Sequence, residues 1–330
     1  MSAYKHLKID DRKVIQKMRW GGKSYSEIGR KLKKDPKTIK NEIARNKCKD
    51  GFYRAIEAQA KADERHHRKG FSQIDSNLEL KLYIIEKVLK GWSPEYIAGR
   101  LQHDFPENSS IKISYESIYK WIYKEYFDND ILLWKYLPRK HKKRKQRHLK
   151  KTSRVVIKDK KSIHDRPEEV NLKNEIGHWE GDTVVGKNND GYIVTMLERV
   201  SQLYLTAWMP NKDAENCQRA MSEAMADIPN ELIKTITFDN GTEFANFKNM
   251  EELFECDIYF ADSYSSWQRG SNERSNGLLR RFFPKKTSFK NLNLKTLEII
   301  TKKINNMPRK MNNYLSPIEV FFNNSVALHH

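Results

Sequence analysis

Five short apolar runs in the second half of the chain limit its possible folds more than any other feature of the sequence. The runs are Thr183–Val185, Tyr192–Leu197, Tyr204–Trp208, Ile233–Phe238 and Ile258–Phe260. Each has the length of a buried strand, and short turns join the first three. Helical segments at 214–226 and 247–254 separate the later runs. This order predicts an α/β domain with a mixed five-stranded sheet.

Three acidic residues stand where these strands and a following helix would meet. Asp182 lies on the first strand, Asp239 follows the fourth, and Glu273 begins a helical run that continues to Phe283. Three carboxylates from two strands and a helix can hold two Mg²⁺ ions about 3.5–4 Å apart, a geometry that activates water in phosphodiester chemistry. The sequence therefore predicts a nuclease or strand-transfer core whose catalytic residues and metal ligands are Asp182, Asp239 and Glu273. Mn²⁺ is expected to substitute for Mg²⁺.

Neighbouring acids compete with two of these assignments. Glu180 precedes Asp182 by two residues, so both side chains would point to the same face of a strand. Asp262 follows the fifth strand and is an alternative to Glu273. Glu273 is preferred because Asn276 and Arg280 share its helical face, where they are candidate DNA contacts. Asp239 has no such rival, since Glu243 lies beyond a glycine in the turn.

Three long segments of the sequence resemble one family of bacterial enzymes. The segments Gly177–Val184, Phe238–Phe244 and Tyr264–Glu273 are similar to those of the insertion-sequence-thirty family of transposases. The resemblance covers most of the chain, and it selects Asp182 over Glu180. It implies a ribonuclease-H-like catalytic core with an Asp-Asp-Glu triad.

The same resemblance implies what the chain acts on. A transposase of this family binds the terminal inverted repeats of its own element. It cuts the 3′ end, joins that end to target DNA and forms a circular DNA intermediate. A dimer or larger assembly on DNA is expected, because two ends must be processed together.

Charge is distributed unevenly along the chain. The chain has 62 basic and 43 acidic residues, a formal net charge of +19. Residues 1–150 hold 37 basic and 19 acidic side chains, so this half alone contributes +18. Clustered Lys and Arg neutralise phosphates and release counterions. The first half is therefore expected to bind a polyanion, the alternative being a solvated, highly charged surface.

Residues 10–46 have the pattern of three short helices. Asp10, Ser24 and Asp35 are candidate N-caps, and Pro36 follows the last of them as the first helical residue. The third helix would bury Ile39 and turn a donor-rich face outward, the layout of a helix-turn-helix whose last helix enters the major groove. The predicted DNA-binding residues on that face are Lys37, Thr38, Lys40, Asn41 and Arg45. A structural three-helix bundle is the alternative.

The chain is predicted to contain five segments. They are a helix-turn-helix domain at 1–50, a helical connector at 51–76, a second helix-turn-helix-like domain at 77–138, a basic linker at 139–165 and the catalytic domain at 166–330. The second helical domain has a turn longer than a tight helix-turn-helix allows. It is thus interpreted either as a DNA contact or as a spacer or dimerisation bundle.

Two further stretches are candidate DNA contacts. Nine of the thirteen residues from 139 to 151 are Lys or Arg, among them Lys142, Lys143 and Arg144. Such a run does not fold alone, and it is expected to follow a phosphate backbone or to act as a linker. In the loop before Glu273, Trp267 is predicted either to stack on a base or to fill the core, and Arg269 to hold phosphate.

Composition also excludes several classes of protein. Cys48, Cys217 and Cys256 lie far apart, which argues against a disulfide scaffold or zinc cluster and favours a reducing compartment. No apolar run has the length of a membrane helix, so the expected location is the bacterial cytoplasm, at the nucleoid. Two rival functions remain: a DNA-binding regulator with an inactive second half, and a ribonuclease or junction nuclease on the same fold.

Overall fold

The computed structural model describes residues 7–48, 50–68, 73–108, 111–129, 131–138, 157, 159–262, 265, 268 and 270–327. Its contacts divide the chain into two units, Met1–Lys81 and Leu82–His330. The division falls within the helix Leu78–Leu89. Along the described residues, no helix is both long and apolar enough to cross a membrane.

The first unit is helical, and its first three helices are those predicted from the sequence, except that the first begins at Ile9, so that Lys8 and not Asp10 is its N-cap. Its helices are α1 (Ile9–Trp20), α2 (Tyr25–Leu32), α3 (Pro36–Asn46), α4 (Ala55–Arg68) and α5 (Gln73–Ser76). Ser24 and Glu27 form a reciprocal capping box at the start of α2. The Asp35 side chain caps α3 by accepting a hydrogen bond from the Lys37 amide. A Cβ at Gly29 would lie 2.7 Å from the Lys34 carbonyl oxygen, so only glycine permits this tight turn between α2 and α3.

One apolar cluster holds these helices together. Ile15, Ile28 and Ile39 are each fully buried and pack with Tyr53 and Ala58. Each isoleucine comes from a different helix, and burying such a side chain contributes about 1.5–3 kcal/mol. The cluster therefore fixes the direction of α3 and leaves its other face to solvent.

The second unit begins in α6 and ends with a long α/β region. Its helices are α6 (Leu78–Leu89), α7 (Pro94–Asp104), α8 (Tyr115–Asn129), α9 (Glu169–Leu172), α10 (Ala214–Met225), α11 (Phe247–Phe254), α12 (Gly270–Phe282), α13 (Leu294–Asn305) and α14 (Pro317–Ala327). Its strands are β1 (Lys161–Ser162), β2 (His178–Val185), β3 (Tyr192–Glu198), β4 (Tyr204–Met209), β5 (Thr235–Phe238) and β6 (Asp257–Phe260).

The strands form one mixed sheet in the order β1-β6-β5-β2-β3-β4. The pairs β1–β6, β6–β5 and β5–β2 are parallel, whereas β2–β3 and β3–β4 are antiparallel. Strands β2 to β6 correspond to the five predicted strands, and their order is ribonuclease-H-like, as expected. The edge strand β1 was not anticipated, because two residues are too few to show an alternating pattern. It lies inside the segment interpreted as the basic linker.

Each face of the sheet is covered by helices. Trp179, Ile236 and Phe238 point to the face packed by α10 and α11. Val184, Ile193 and Leu197 point to the opposite face, where α12 and α13 pack. Because side chains alternate along a strand, Glu180 and Asp182 share the α12 face with Val184.

In the second unit, α7 is joined to the C-terminal part of the chain. The guanidinium of Arg100 donates two hydrogen bonds of 2.6 Å to the carboxylate of Glu319, and a third bond of 2.7 Å to Asp104. Lys310 forms an ion pair of 3.0 Å with Glu95 at the start of the same helix. The predicted second helical domain thus shares a unit with the sheet, and its contact with DNA stays a prediction.

Candidate active site

The register of β2 and β5 places two of the predicted acids side by side. The paired residues run from His178 and Thr235 to Glu180 and Thr237. Two residues further along both strands, the same register brings Asp182 next to Asp239. Neighbouring strands lie about 4.8 Å apart, and residues in register point to the same face. Both aspartates are half-buried.

Helix α12 runs along β2 on that face and carries the third predicted acid. The Asn272 side-chain amide donates to the Glu180 carbonyl at 3.1 Å, and the Asn276 amide donates to Asp182 Oδ2 at 2.8 Å. Glu273 lies in the first turn of α12, three residues before Asn276, and its side chain is exposed. Residues three apart on a helix are neighbours on its surface. Glu273 is thus on the same side of the sheet as the two aspartates.

Main-chain amides orient both aspartates. The Thr183 N–H donates to Asp182 Oδ1 at 2.9 Å, and the Gly241 N–H donates to Asp239 Oδ1 at 3.1 Å. The Asp182 carboxylate within β2 and the Asp239 carboxylate just after β5 are therefore each held in a defined direction.

The donors fit a divalent cation by chemical type. Mg²⁺ and Mn²⁺ prefer carboxylate and other oxygen ligands, and Asp182 and Asp239 supply such ligands from adjacent strands. Glu273 does not complete a ligand group with them in the structure. Throughout the described residues, no group of three or more His, Cys, Asp or Glu side chains could hold a metal ion. A third carboxylate ligand would require movement of Glu273.

The two competing acids have other partners. Glu180 is 2% exposed, and its Oε1 accepts a hydrogen bond of 2.6 Å from the buried Arg199 guanidinium. Asp262 accepts hydrogen bonds from Gln268 and His164, and these bonds, Gln268 first, lower the pKa of Asp262. Glu180 therefore forms an internal ion pair, and Asp262 orders the start of the following loop.

Asn276 and Arg280, predicted as DNA contacts, both have intramolecular partners. Asn276 bridges Asp182 and the buried Tyr204, whose hydroxyl donates to Asn276 Oδ1 at 2.7 Å. Arg280 Nη2 donates to the Val185 carbonyl at 2.6 Å. Both residues anchor α12 to β2, and their contact with DNA stays a prediction.

The remaining predicted contacts divide into two groups. On α3, Lys37, Lys40, Asn41 and Arg45 are exposed and Thr38 is half-buried, so this face is accessible to a ligand. The residues Lys142, Lys143, Arg144, Trp267 and Arg269 lie outside the described residues.

An ion pair behind the aspartates, between an exposed lysine and a buried glutamate, was not anticipated from the sequence. Lys212 Nζ lies 2.9 Å from Glu243 Oε1, and Glu243 is 2% exposed. The Thr183 hydroxyl donates to the same oxygen at 3.0 Å. Glu243 was set aside because it follows a glycine. The available signal was the spacing Asp-x-Gly-x-Glu, which brings the glutamate back towards the strand end.

Two domain families match the sequence. Residues 3–46 match a helix-turn-helix domain, and residues 173–266 match an integrase core domain. These matches agree with the helical first unit and with the mixed sheet of the second.

Similar proteins cover almost the whole chain. The transposase InsI of insertion sequence element IS30A from Escherichia coli (strain K12) is 33% identical over 324 residues, 96% of this chain and 84% of that protein. The transposase of insertion sequence element IS4351 from Bacteroides fragilis is 35% identical over 318 residues, 96% of this chain and 95% of that protein.

Among solved structures, the catalytic core domain of BIV integrase aligns with a TM-score of 0.38 and 14% identity, covering 47% of this chain and 100% of that one. The two transposases confirm, over almost the whole length of the chain, the family resemblance inferred from three sequence segments. The protein is a DNA-binding protein with a helix-turn-helix domain and an integrase core, and it belongs to the insertion-sequence-thirty (IS30) family of transposases.

Proposed function

We propose that this transposase cuts the ends of its insertion sequence and joins them to target DNA with Asp182, Asp239 and Glu273 as the catalytic carboxylates. The observation that supports the proposal is the placement of Asp182 beside Asp239, on the face of the sheet crossed by α12. Bound Mg²⁺ would activate the attacking oxygen and stabilise the leaving one.

The chain's own residues have separate roles in this proposal. Asp182 and Asp239 offer carboxylate oxygens from neighbouring strands, and their directions are set by the Thr183 and Gly241 amides. Glu273, in the first turn of α12, would complete the ligand set by moving towards the two aspartates. Asn276 holds Asp182 against that helix. Covalent attachment of the protein to DNA is not needed.

A cleavage assay on DNA carrying the terminal inverted repeat tests the proposal. Asp239→Asn keeps the shape of the side chain but removes its charge, so cleavage should fall by at least about a thousandfold, as for removal of a group that acts in a catalytic unit. Glu298→Gln, at an exposed position on α13, is the matched control and should cut normally. Binding of both variants to the repeat should equal that of the wild type.

Two results would contradict this function. If wild type and Asp239→Asn bind the repeat but neither cuts it with Mg²⁺ or Mn²⁺, the protein is a regulator. If cutting proceeds equally on DNA without the repeat, or on RNA hybrids or junctions, it is a nuclease of another kind. Light scattering of the protein bound to paired ends would show whether a dimer or larger assembly forms.

Recognition of the repeat is assigned to the exposed face of α3. Asn41 and Arg45 have side chains that can read base edges, whereas Lys37 and Lys40 would contact phosphates. Asn41→Ala should weaken binding to the repeat by about 1–3 kcal/mol while leaving binding to unrelated DNA unchanged. Lys40→Ala should weaken both equally and reduce the salt dependence. Equal losses for Asn41→Ala on both DNAs would assign base reading to another segment.

A further inference from the structure

Glu243 connects three segments behind the candidate active site. Its Oε1 accepts a hydrogen bond from the Thr183 hydroxyl on β2 and pairs with Lys212, in the turn between β4 and α10. Its own segment follows β5 and Asp239 directly. The carboxylate is 2% exposed, and it lies on the side of the sheet opposite to α12. It is therefore not placed to bind solvent or DNA directly.

Each aspartate is linked to the Glu243 carboxylate through one intermediate residue. Thr183 donates its hydroxyl to Glu243 and its main-chain N–H to Asp182. Gly241 donates its N–H to Asp239, and a Cβ at Gly241 would lie 2.3 Å from Glu243 Oε2. Gly241 has an ordinary backbone conformation, φ −71°, so the glycine is needed for space. The Glu243 carboxylate thus packs against the peptide that orients Asp239.

Charge gives a second link between this pair and the aspartates. Burial alone would lower the pKa of Lys212, but Glu243, Asp239 and Asp182 together outweigh burial and raise it. Lys212 is thus within electrostatic reach of all three carboxylates. A buried carboxylate without a partner is costly, and here Lys212 compensates its charge. With Glu243 removed, the Lys212 charge would be directed at the aspartates instead.

We infer that Glu243 is a positioning residue: with Lys212 it holds Thr183 and Gly241, and through them Asp182 and Asp239, in the arrangement that binds a divalent cation. This inference rests on the proposed function. Residues that orient metal ligands without touching the metal typically change metal affinity by about 10–100-fold when they are replaced. Glu243 is expected to have an effect of that size.

Direct binding of Mn²⁺ to the full-length protein tests the inference without relying on turnover. Mn²⁺ affinity is measured by electron paramagnetic resonance and calorimetry for wild type, Asp239→Asn, Glu243→Gln and the double variant Glu243→Gln/Lys212→Met. Glu243→Gln should bind Mn²⁺ about 10–100-fold more weakly, with binding to the inverted repeat unchanged. The double variant should remain weak, because the link between residues 243 and 212 is still missing when both side chains are neutral.

The outcomes separate this inference from the proposed function. If wild type and Asp239→Asn bind Mn²⁺ equally, the proposed metal site itself is wrong. If Asp239→Asn loses Mn²⁺ but Glu243→Gln binds it like wild type, only the positioning role is wrong. Full recovery of affinity in the double variant would also overturn it, because the effect would then be one of charge alone.

Thr183→Val provides a second variant, in which the new side chain has nearly the shape of threonine. It tests the positioning role of Glu243 if Glu243→Gln does not fold. It removes the hydroxyl that donates to Glu243 and keeps the main-chain N–H that orients Asp182. We expect a loss of Mn²⁺ affinity of about tenfold. Unchanged affinity in a folded Thr183→Val protein would contradict that role.

Discussion

The two aspartates and Glu273 lie on one face of the sheet, but the chain holds them differently. Asp182 lies within β2 and Asp239 directly follows the neighbouring β5, and each accepts a hydrogen bond from a main-chain amide. Glu273 is exposed on the first turn of α12, where its neighbour Asn272 is 1% exposed and anchored to β2. The helix turn is therefore fixed, whereas the Glu273 side chain has not joined a ligand group.

This difference indicates which of the proposed metal ligands are in place before DNA binds. A fixed pair of carboxylates would provide a preformed binding place for one ion before DNA arrives. A third carboxylate on an exposed helix turn would join when metal and DNA are both present. Such an arrangement would couple assembly of the complete site to binding of the correct DNA end.

The largest losses are expected when Asp182 or Glu273 is replaced, and they test directly whether the two residues join the metal site at different stages. Asp182→Asn should abolish both Mn²⁺ binding by the free protein and cleavage of the repeat, the latter by at least about a thousandfold. Glu273→Gln should abolish cleavage equally but leave Mn²⁺ binding by the free protein within about threefold of wild type, since the aspartate pair is intact. Calorimetry with Mn²⁺ and the cleavage assay measure the two quantities separately. Equal loss of Mn²⁺ binding in both variants would contradict a site in which the aspartates bind the ion before Glu273 joins.

The second prediction concerns folding stability and tests the buried ion pair between Arg199 and Glu180, which shares a strand face with Asp182. Arg199→Ala would leave the Glu180 carboxylate buried without its 2.6 Å partner, and should lower the free energy of unfolding by about 3–5 kcal/mol. Removing both charges together in Arg199→Met/Glu180→Leu should cost much less. Lys302→Ala is the control, because its pair with Glu298 is 60–70% exposed and should contribute under about 0.5 kcal/mol. Urea unfolding measures all three; equal costs for Arg199→Ala and Lys302→Ala would contradict a rigid base under the site.

Much of this arrangement was accessible from the sequence. The length and apolar pattern of short segments predicted β2 to β6, and capping residues predicted the starts of α2 and α3, because these signals act over a few residues. Asp182 and Asp239 were predicted from the same strand pattern together with the family resemblance. The register that places Asp182 beside Asp239 is a pairing of segments far apart in sequence, and only the structure shows it.

Other features depended on contacts that no local pattern contains. Asn276 was predicted to face DNA, yet it bridges Asp182 and Tyr204, which is 72 positions away in sequence. Glu243 appeared to be a turn residue, and its role depends on Lys212 and Thr183 from two other segments. Buried polar groups need partners, but the sequence does not identify which residues supply them.

A smaller loss of Mn²⁺ affinity is expected from variants of α12. Comparing Asn276→Ala with Asn272→Ala distinguishes the bond that holds Asp182 from the bond that holds the helix turn carrying Glu273. Asn276→Ala removes the donor to Asp182 and leaves the Tyr204 hydroxyl without that acceptor, so Mn²⁺ affinity should fall about tenfold. Asn272→Ala removes the bond to the Glu180 carbonyl and should lower stability by about 1 kcal/mol with little change in Mn²⁺ affinity. The cleavage rate of Asn272→Ala should fall more than its metal affinity does. The opposite ranking of the two variants in Mn²⁺ binding would show that the helix turn, not the strand end, orders the site.

The smallest effect on stability is expected for the ion pair between Arg100 on α7 and Glu319 on α14. This pair serves as a comparison for the two aspartates and for Glu273. The Arg100 hydrogen bonds lower the pKa of Glu319 from 4.5 to about 2. Because the folded-state pKa is depressed, the stabilisation is present above about pH 4.5 and is lost as the pH falls towards 2. Glu319 is partly exposed, so Glu319→Gln should cost only about 1 kcal/mol near neutral pH, with the difference from wild type shrinking below pH 4.5. Unfolding followed from pH 7 to 3 measures this. A change in Mn²⁺ affinity in Glu319→Gln would mean that the fixed pair of aspartates depends on α7 and α14 as well as on its own strands.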